Sequence, residues 1–204
     1  MPIAILDYDM ANLRSVQKAF EHVGVTARII STPDEVDRAE RLVLPGVGAF
    51  RDAVATLRDR ELDGPIRRHI EKGKPFLGIC LGLQMLFEVG LEDGEHQGLG
   101  VLKGRCVRFD VDETRGLKVP HMGWNQIEMR KPSPLFRDLA EGSNVYFVHG
   151  YHVVPEDKTL IASTTNYGGD FVSSICRDNL MAVQFHPEKS QAVGLKILAN
   201  FAAM

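Results

Sequence analysis

FLGICLGLQMLF, residues 76–87, sets one cysteine, Cys80, between Gly78 and Gly82 inside an apolar run. With the residues before it, KPFLGIC predicts a buried strand, and the segment from Leu81 to about Val89 predicts a helix. A cysteine packed in a core needs no flanking glycines. A sharp strand-to-helix turn does, because its backbone is strained and runs close to the next helix. G-x-C-x-G is the cysteine form of the nucleophile elbow, which exposes a thiol at the C-terminal edge of a sheet. A helix starting there aims free N–H groups and the positive end of its dipole at the sulfur, favouring thiolate. The Leu81 N–H is then placed to donate to a substrate oxyanion. The alternative is that Cys80 is a small core residue between packing glycines.

Strand and helix patterns alternate on the N-terminal side of that turn. IAILD (residues 3–7) predicts a buried strand, and Leu13, Val16, Phe20 and Val23 follow at helical spacing. VTARII (25–30) predicts a second strand. In STPDE (31–35), Thr32 as N-cap, Pro33 at the first helical position and acids in the first turn predict a helix start. RLVLPG (41–46) predicts a third strand, a helix around Val54 and Leu57 follows, and LDGPIRRHIEKG (62–73) predicts another helix closed by Gly73. This alternation indicates a mostly parallel sheet flanked by helices. The second half differs: RCVRF, NVYFVHGYHVV, TLIASTT and FVSSICR predict added antiparallel strands. LMAVQF (180–185) predicts a last strand, followed by HPEKS and a closing helix over roughly 191–203; residues 91–100 and 110–118 read as loops. The expected class is α/β, in one domain spanning residues 1–204, with no linker or repeat.

Composition narrows the function. A net charge of −3 leaves no basic face for nucleic acid, and no apolar run is long enough to span a bilayer. Asp7 and Asp9 directly after the first apolar run argue against a secretion signal. Cys80, Cys106 and Cys176 lie far apart without a CxxC pair, which argues against a disulfide framework or a zinc site and for a reducing cytoplasm.

A nucleophilic cysteine needs a base and a group to orient it. His22 and His69 sit in helical stretches with charged neighbours and read as solvated surface residues, and His96 falls in the loop EDGEHQG. His186 stands in QFHPE, where Pro187 forces it out of helical geometry. In an extended segment residues two apart face the same way, so Glu188 is expected beside His186, holding its ring. An ordinary strand-end turn is the alternative for HPE alone.

PGVG (45–48), GICLGLQ (78–84) and HPEKS (186–190) together resemble the class I (triad) glutamine amidotransferases, in the family's order and across nearly the whole chain. The resemblance implies Cys80 as nucleophile, His186 as general base and then acid, and Glu188 as orienting carboxylate. It implies that Pro45-Gly46-Val47-Gly48 lies beside the thiolate, with Val47 at the substrate and the Gly48 N–H as a second oxyanion donor. Gln84, one helical turn beyond Cys80, is expected on the same face. There it would contact substrate glutamine, against the alternative of an exposed helical glutamine. The chemistry requires neither metal nor organic cofactor.

DYDMANLRSV, KVPHMGWNQI (118–127) and YFVHGYH (146–152) are similar to the glutaminase subunits of imidazole glycerol phosphate synthases. Asp9 and Ala11 stand where that family commonly has glycines, and Gly150 and His152 replace its commoner hydroxyl and arginine residues. The resemblance implies a heterodimer with a (β/α)₈ cyclase subunit. The cyclase takes ammonia from the glutaminase and makes imidazole glycerol phosphate and aminoimidazole carboxamide ribotide in histidine biosynthesis. It also implies slow glutamine hydrolysis until the cyclase holds its own substrate; Val47-Gly48 is the expected switch, because a turned peptide there could withhold or supply one donor. Asn12, Pro120, Met122, Trp124 and Tyr146 are the expected contact surface or gate, although Met122 and Trp124 would equally suit core packing. Competing readings are a triad amidotransferase serving pyridoxal phosphate, anthranilate or aminodeoxychorismate synthesis, a non-catalytic binding protein on the same fold, and a thiol esterase. PHMGWN, the intact triad positions and Gln84 weigh against these in turn.

Overall fold

The structure, a computed structural model, describes residues 2–111, 114 and 116–204. Part of the loop expected over 110–118 therefore lies outside the described residues. The first half alternates as its sequence pattern requires: β1 (Ile3–Leu6), α1 (Leu13–His22), β2 (Ala27–Ile30), α2 (Pro33–Arg38), β3 (Leu42–Gly46), α3 (Phe50–Asp59), α4 (Asp63–Glu71) and β4 (Phe76–Cys80). Ile3 and Ile5 of β1 pack to one side of the sheet and Ala4 and Leu6 to the other. A strand buried on both faces reads as a continuous apolar run, which is why these segments show no polar alternation. On one side they meet Val36 of α2, Val54 and Leu57 of α3 and Ile66 of α4. On the other they meet Val16 and Phe20 of α1.

Thr32 starts α2 with a reciprocal capping box: its hydroxyl accepts the Glu35 N–H and the Glu35 carboxylate accepts the Thr32 N–H. β2 is shorter than expected, beginning at Ala27 rather than residue 25. His69 is a correction. It is 1% exposed on the inner face of α4, and its Nε2 donates to the Pro75 carbonyl at 3.0 Å, fastening α4 to the start of β4. Its charged neighbours face outward while the ring does not.

A second correction follows Cys80. The helix after it, α5 (Leu81–Gln84), is a single turn, and Phe87–Gly90 forms strand β5. Leu83, Met85, Leu86 and Phe87 are all fully buried, so the run carries no helical face for the sequence pattern to register. β5 instead pairs with β6 (His96–Gln97), a two-residue strand inside the stretch read as loop, and with β7 (Leu102–Arg108).

The remaining strands are β8 (His121–Gln126), β9 (Glu128–Met129), β10 (Asn144–His149), β11 (Tyr151–Pro155), β12 (Ile161–Asn166), β13 (Asp170–Arg177) and β14 (Leu180–Val183), before α6 (Gln191–Ala202). The central sheet has the order β2-β1-β3-β4-β14-β13-β12-β9. It is parallel from β2 to β14 and antiparallel from β14 onward. A four-stranded sheet, β11-β7-β5-β6, and an antiparallel ribbon, β10-β8, complete the fold. The run NVYFVHGYHVV is thus two strands in different sheets, with Gly150 at the crossing. The architecture is α/β, a mostly parallel sheet flanked by helices with antiparallel strands added.

Candidate active site

β3 and β4 run side by side in register Gly46 to Cys80, so the PGVG loop and the cysteine turn leave the sheet together. Cys80 has φ +55° and ψ −109°, a conformation that a side-chain-bearing residue holds only when its surroundings impose it. The motif glycines supply that constraint. A Cβ on Gly82 would lie 1.9 Å from the Leu44 carbonyl oxygen, and one on Gly78 would lie 2.9 Å from the Gly82 oxygen. No larger residue lets α5 pass so close to β3. Leu81 begins α5, so its N–H lacks an intrahelical acceptor. With only one turn, α5 contributes mainly these first N–H groups and little of the dipole expected from a long helix.

Cys80 is 6% exposed and lines a cavity of about 300 Å³. Val47, Gly48, Leu81, Gln84, Glu92, Val148, His149, Gly150, Tyr151, His186 and Lys189 complete its walls. His186 is extended, with φ −103° and ψ 97°, as Pro187 demands. Its Nδ1 donates to Glu188 Oε1 at 2.8 Å, and the two side chains are only 4% and 2% exposed. Glu188 reaches the ring from a 3₁₀ turn, Pro187–Lys189, not by the strand-like alternation expected.

A bond from Nδ1 to a carboxylate leaves Nε2 to face the thiol. Among the described residues, no hydrogen bond of ordinary geometry closes on that buried Nε2. Catalytic contacts are often this loose until substrate arrives. Burial would push the His186 imidazole down, but Cys80, and then Glu188, outweigh it and raise its pKa to about 10. The site therefore holds an imidazolium at neutral pH.

Across the cavity, Gly48 has φ +97°, a left-handed conformation suited to glycine. The Val47 N–H is taken by the Met10 carbonyl at 2.9 Å, whereas the Gly48 N–H has no acceptor among the described residues. Gln84 is buried, not exposed, and its Nε2 donates to the Tyr151 carbonyl at 3.0 Å and to Gln184 Oε1 at 3.1 Å. Gln184 in turn reaches Cys80 Sγ at 3.7 Å. Sequence reasoning missed Gln184, although it stands two residues before His186 and alternation would have placed it on the same side. Glu92 was also missed. It lies in the stretch read as loop, and its Oε2 accepts the Phe50 N–H at 2.6 Å at the start of α3. No spacing signal distinguishes it from Glu95.

A second histidine group lies behind the cavity. His149 Nδ1 donates to the Tyr151 carbonyl at 2.7 Å, and His149 Nε2 lies 3.3 Å from His121 Nδ1. Burial pushes His121 down to about 4 and His149 to about 3. His152 packs tilted against Phe109 with ring centroids 4.8 Å apart, and burial also lowers its pKa.

The ribbon β8-β10 alternates strictly. His121, Val145, Phe147 and His149 face inward, while Met122 and Trp124 are 66% and 47% exposed. Trp124 meets half-buried Tyr146 edge to face at 6.0 Å, and Lys189 lies 5.9 Å from the Tyr146 ring centre. Core packing is thereby excluded for Met122 and Trp124. Tyr146 is also tied to the site, because its carbonyl accepts the His186 N–H at 2.9 Å. Pro120 is exposed at the entry to β8. Asn12 is exposed before α1, its Oδ1 accepting from Ser15, and no bond among the described residues joins it to the ribbon. Nearby, Asp9 has φ +72°, a turn that suits glycine; its carboxylate pairs with Arg60 at 2.9 Å. Ala11 packs partly buried against the core. A Cβ on Gly150 would meet only Val119 Cγ1, at 3.4 Å.

A family model described as glutamine amidotransferase class-I matches residues 4–204. Curated relatives include the imidazole glycerol phosphate synthase subunit HisH of Syntrophotalea carbinolica, 57% identical over 99% of this chain and 100% of that protein. The HisH subunit of Aquifex aeolicus is 55% identical over 98% of this chain and 96% of its own length. Among solved structures, PurLQS from Thermotoga maritima superposes with a TM-score of 0.76 at 20% identity, covering 98% of this chain and 97% of the matched one. A glutamine amidotransferase crystal structure does so with a TM-score of 0.76 at 16% identity over 100% of both chains. At these identities the structural likenesses speak for the fold.

Proposed function

The chain belongs to the class I glutamine amidotransferases, and from that premise we propose that Cys80, His186 and Glu188 are the triad that hydrolyses glutamine. Its activity is glutamine hydrolysis, as the glutaminase subunit of an imidazole glycerol phosphate synthase. The observation that carries the residue assignment is the shared cavity, where a strained cysteine faces an imidazolium held by a buried carboxylate.

The Cys80 thiolate attacks the side-chain amide carbon of glutamine, forming a carbon–sulfur bond and an oxyanion. The Leu81 and Gly48 N–H groups donate to that oxyanion, each worth about 10²–10³-fold in rate. The carbon–nitrogen bond breaks as His186 Nε2 gives its proton to the departing ammonia. His186, now neutral, takes a proton from water, which cleaves the thioester and frees glutamate and thiolate. Glu188 keeps the ring oriented throughout. Glu92 on the cavity wall supplies a negative charge for the α-ammonium of the substrate, and Gln84 offers the carbonyl end of its amide.

Ammonia that reaches neutral water is mostly protonated and no longer nucleophilic. A synthase subunit that consumes it must therefore dock against this cavity, and the reading assigns that role to a (β/α)₈ cyclase. Met122 and Trp124 form the exposed apolar face beside the site, and an exposed tryptophan next to a methionine is what an interface anchor requires. No step calls for a metal or an organic cofactor, and the pair works in the cytoplasm.

The test is to mix the chain with such a cyclase and measure glutamate release with and without the cyclase's ligand. Release that rises with ligand and vanishes in Cys80→Ala, while the complex still forms, is expected. Undiminished release in Cys80→Ala would refute the assignment.

A further inference from the structure

We propose that Gln184 is a positioning residue for the nucleophile: its side-chain N–H donates to Cys80 Sγ and holds the sulfur, as thiolate, at the floor of the cavity. This rests on reading Cys80 as the nucleophile.

The direction of that contact follows from a chain of groups whose polarity has only one solution. The shape of a glutamine amide does not distinguish oxygen from nitrogen, so its neighbours must. The chain begins at the Tyr151 carbonyl oxygen, which can only accept. Gln84 approaches it at 3.0 Å and must therefore present its NH₂. The same NH₂ lies 3.1 Å from one end of the Gln184 amide, so that end must be the carbonyl oxygen. The NH₂ of Gln184 is then the end aimed at the sulfur, at 3.7 Å. The Tyr151 carbonyl also accepts from His149 Nδ1 at 2.7 Å, so both of its acceptor positions are filled and the starting point is fixed from two sides.

Gln184 is fully buried, and water does not compete for its amide. A donor in such a place acts on whichever form of its partner accepts better, and a thiolate accepts better than a thiol. Gln184 thus stabilises the sulfur from beneath while His186 faces it from the side. The arrangement also assigns Gln84 a definite polarity. Both of its N–H groups are used inside the protein, so only Oε1 remains for a substrate donor.

The experiment compares Gln184→Met, which keeps similar volume without a donor, and Gln184→Glu, which keeps the outline but replaces the NH₂ with oxygen. Alkylation of Cys80 by iodoacetamide is followed from pH 5 to pH 10 in the full chain, with the label mapped to the Cys80 peptide. Steady-state glutamine hydrolysis is measured alongside in the presence of the cyclase. Both variants are expected to alkylate about tenfold more slowly at pH 7, with the half-maximal rate displaced about one unit upward. The kcat for glutamine should fall about tenfold while KM stays within about twofold, since the lost contact is to the nucleophile and not to the substrate. Alkylation profiles that superimpose on that of the unaltered chain, in either variant with an unchanged circular dichroism spectrum, would overturn the proposal. Gln184→Met decides if Gln184→Glu does not fold. A lack of glutamate release by the unaltered pair would count against the glutaminase reading alone, because alkylation tests the sulfur contact without glutamine.

Discussion

His149 and His186 line the same cavity and are almost equally hidden, 6% and 3% exposed, yet at neutral pH the first is uncharged and the second a cation. Burial alone favours the neutral ring, and His149 obeys it: the Tyr151 carbonyl beside it favours a cation too weakly, and His121, His152 and His186 oppose one. His186 sits between the Cys80 sulfur and a buried carboxylate, and these partners reverse the effect of desolvation. The two sites show that depth does not decide protonation here. The identity of the partner does, and the partners of His186 are placed by two local devices, the Gly78–Gly82 turn around Cys80 and the Pro187 turn.

The largest expected effect comes from erasing the difference. Glu188→Gln keeps the outline of the side chain but removes the charge that favours the cationic ring, and its NH₂ can turn to Nδ1 and fix the wrong tautomer. It should lower kcat by about 10³–10⁴-fold, measured as glutamate release with the cyclase present. A loss below about tenfold would mean that the carboxylate does not orient the base. The matching change on the other side, His149→Gln, keeps a polar group near the Tyr151 carbonyl and should lower kcat by less than about tenfold, the cost of disturbing one wall of the cavity. Comparable damage from both substitutions would remove the distinction between the two histidines.

A smaller effect separates them by pH. The folded pKa values of His149 and His121 are depressed to about 3 and about 4. Below about pH 6.5 the unfolded chain binds protons that the folded chain refuses, so stability falls as pH drops from 6.5 toward 4. His186 acts at the other end. Its folded pKa is raised to about 10, so its contribution is complete below about pH 6.5 and is lost as pH rises toward 10. Denaturant titrations at pH 7.5, 5.5 and 4.5 should show a shallower acid loss in His149→Gln than in the unaltered chain. Parallel losses in the two would place the acid sensitivity elsewhere.

The same contrast governs what the sequence makes legible. The His186 site is written in short, local constraints. Gly78 and Gly82 encode two backbone contacts and Pro187 excludes a helix; away from the site, Thr32 with Glu35 marks the start of α2 in the same local way. Features set by distant packing are silent. Nothing in NVYFVHGYHVV shows that Gly150 separates two sheets, because both halves are apolar and β-prone. The strand Phe87–Gly90 is hidden because the whole run from Leu83 to Phe87 is buried. His69 faces the interior from a helix rich in charge, and Glu92 enters the cavity from a loop with several acids. Asp9 adopts the left-handed turn of a glycine with an aspartate, which tolerates it better than most residues.

The central claim is a charged His186 whose proton is retained by the sulfur beside it. Nitrogen-15 NMR of histidine-labelled chain, titrated from pH 5 to pH 11, measures it directly. The account predicts a His186 ring doubly protonated through neutral pH with a midpoint near 10, falling markedly in Cys80→Ala. A midpoint at or below about 6.5, or one unmoved by Cys80→Ala, would contradict it.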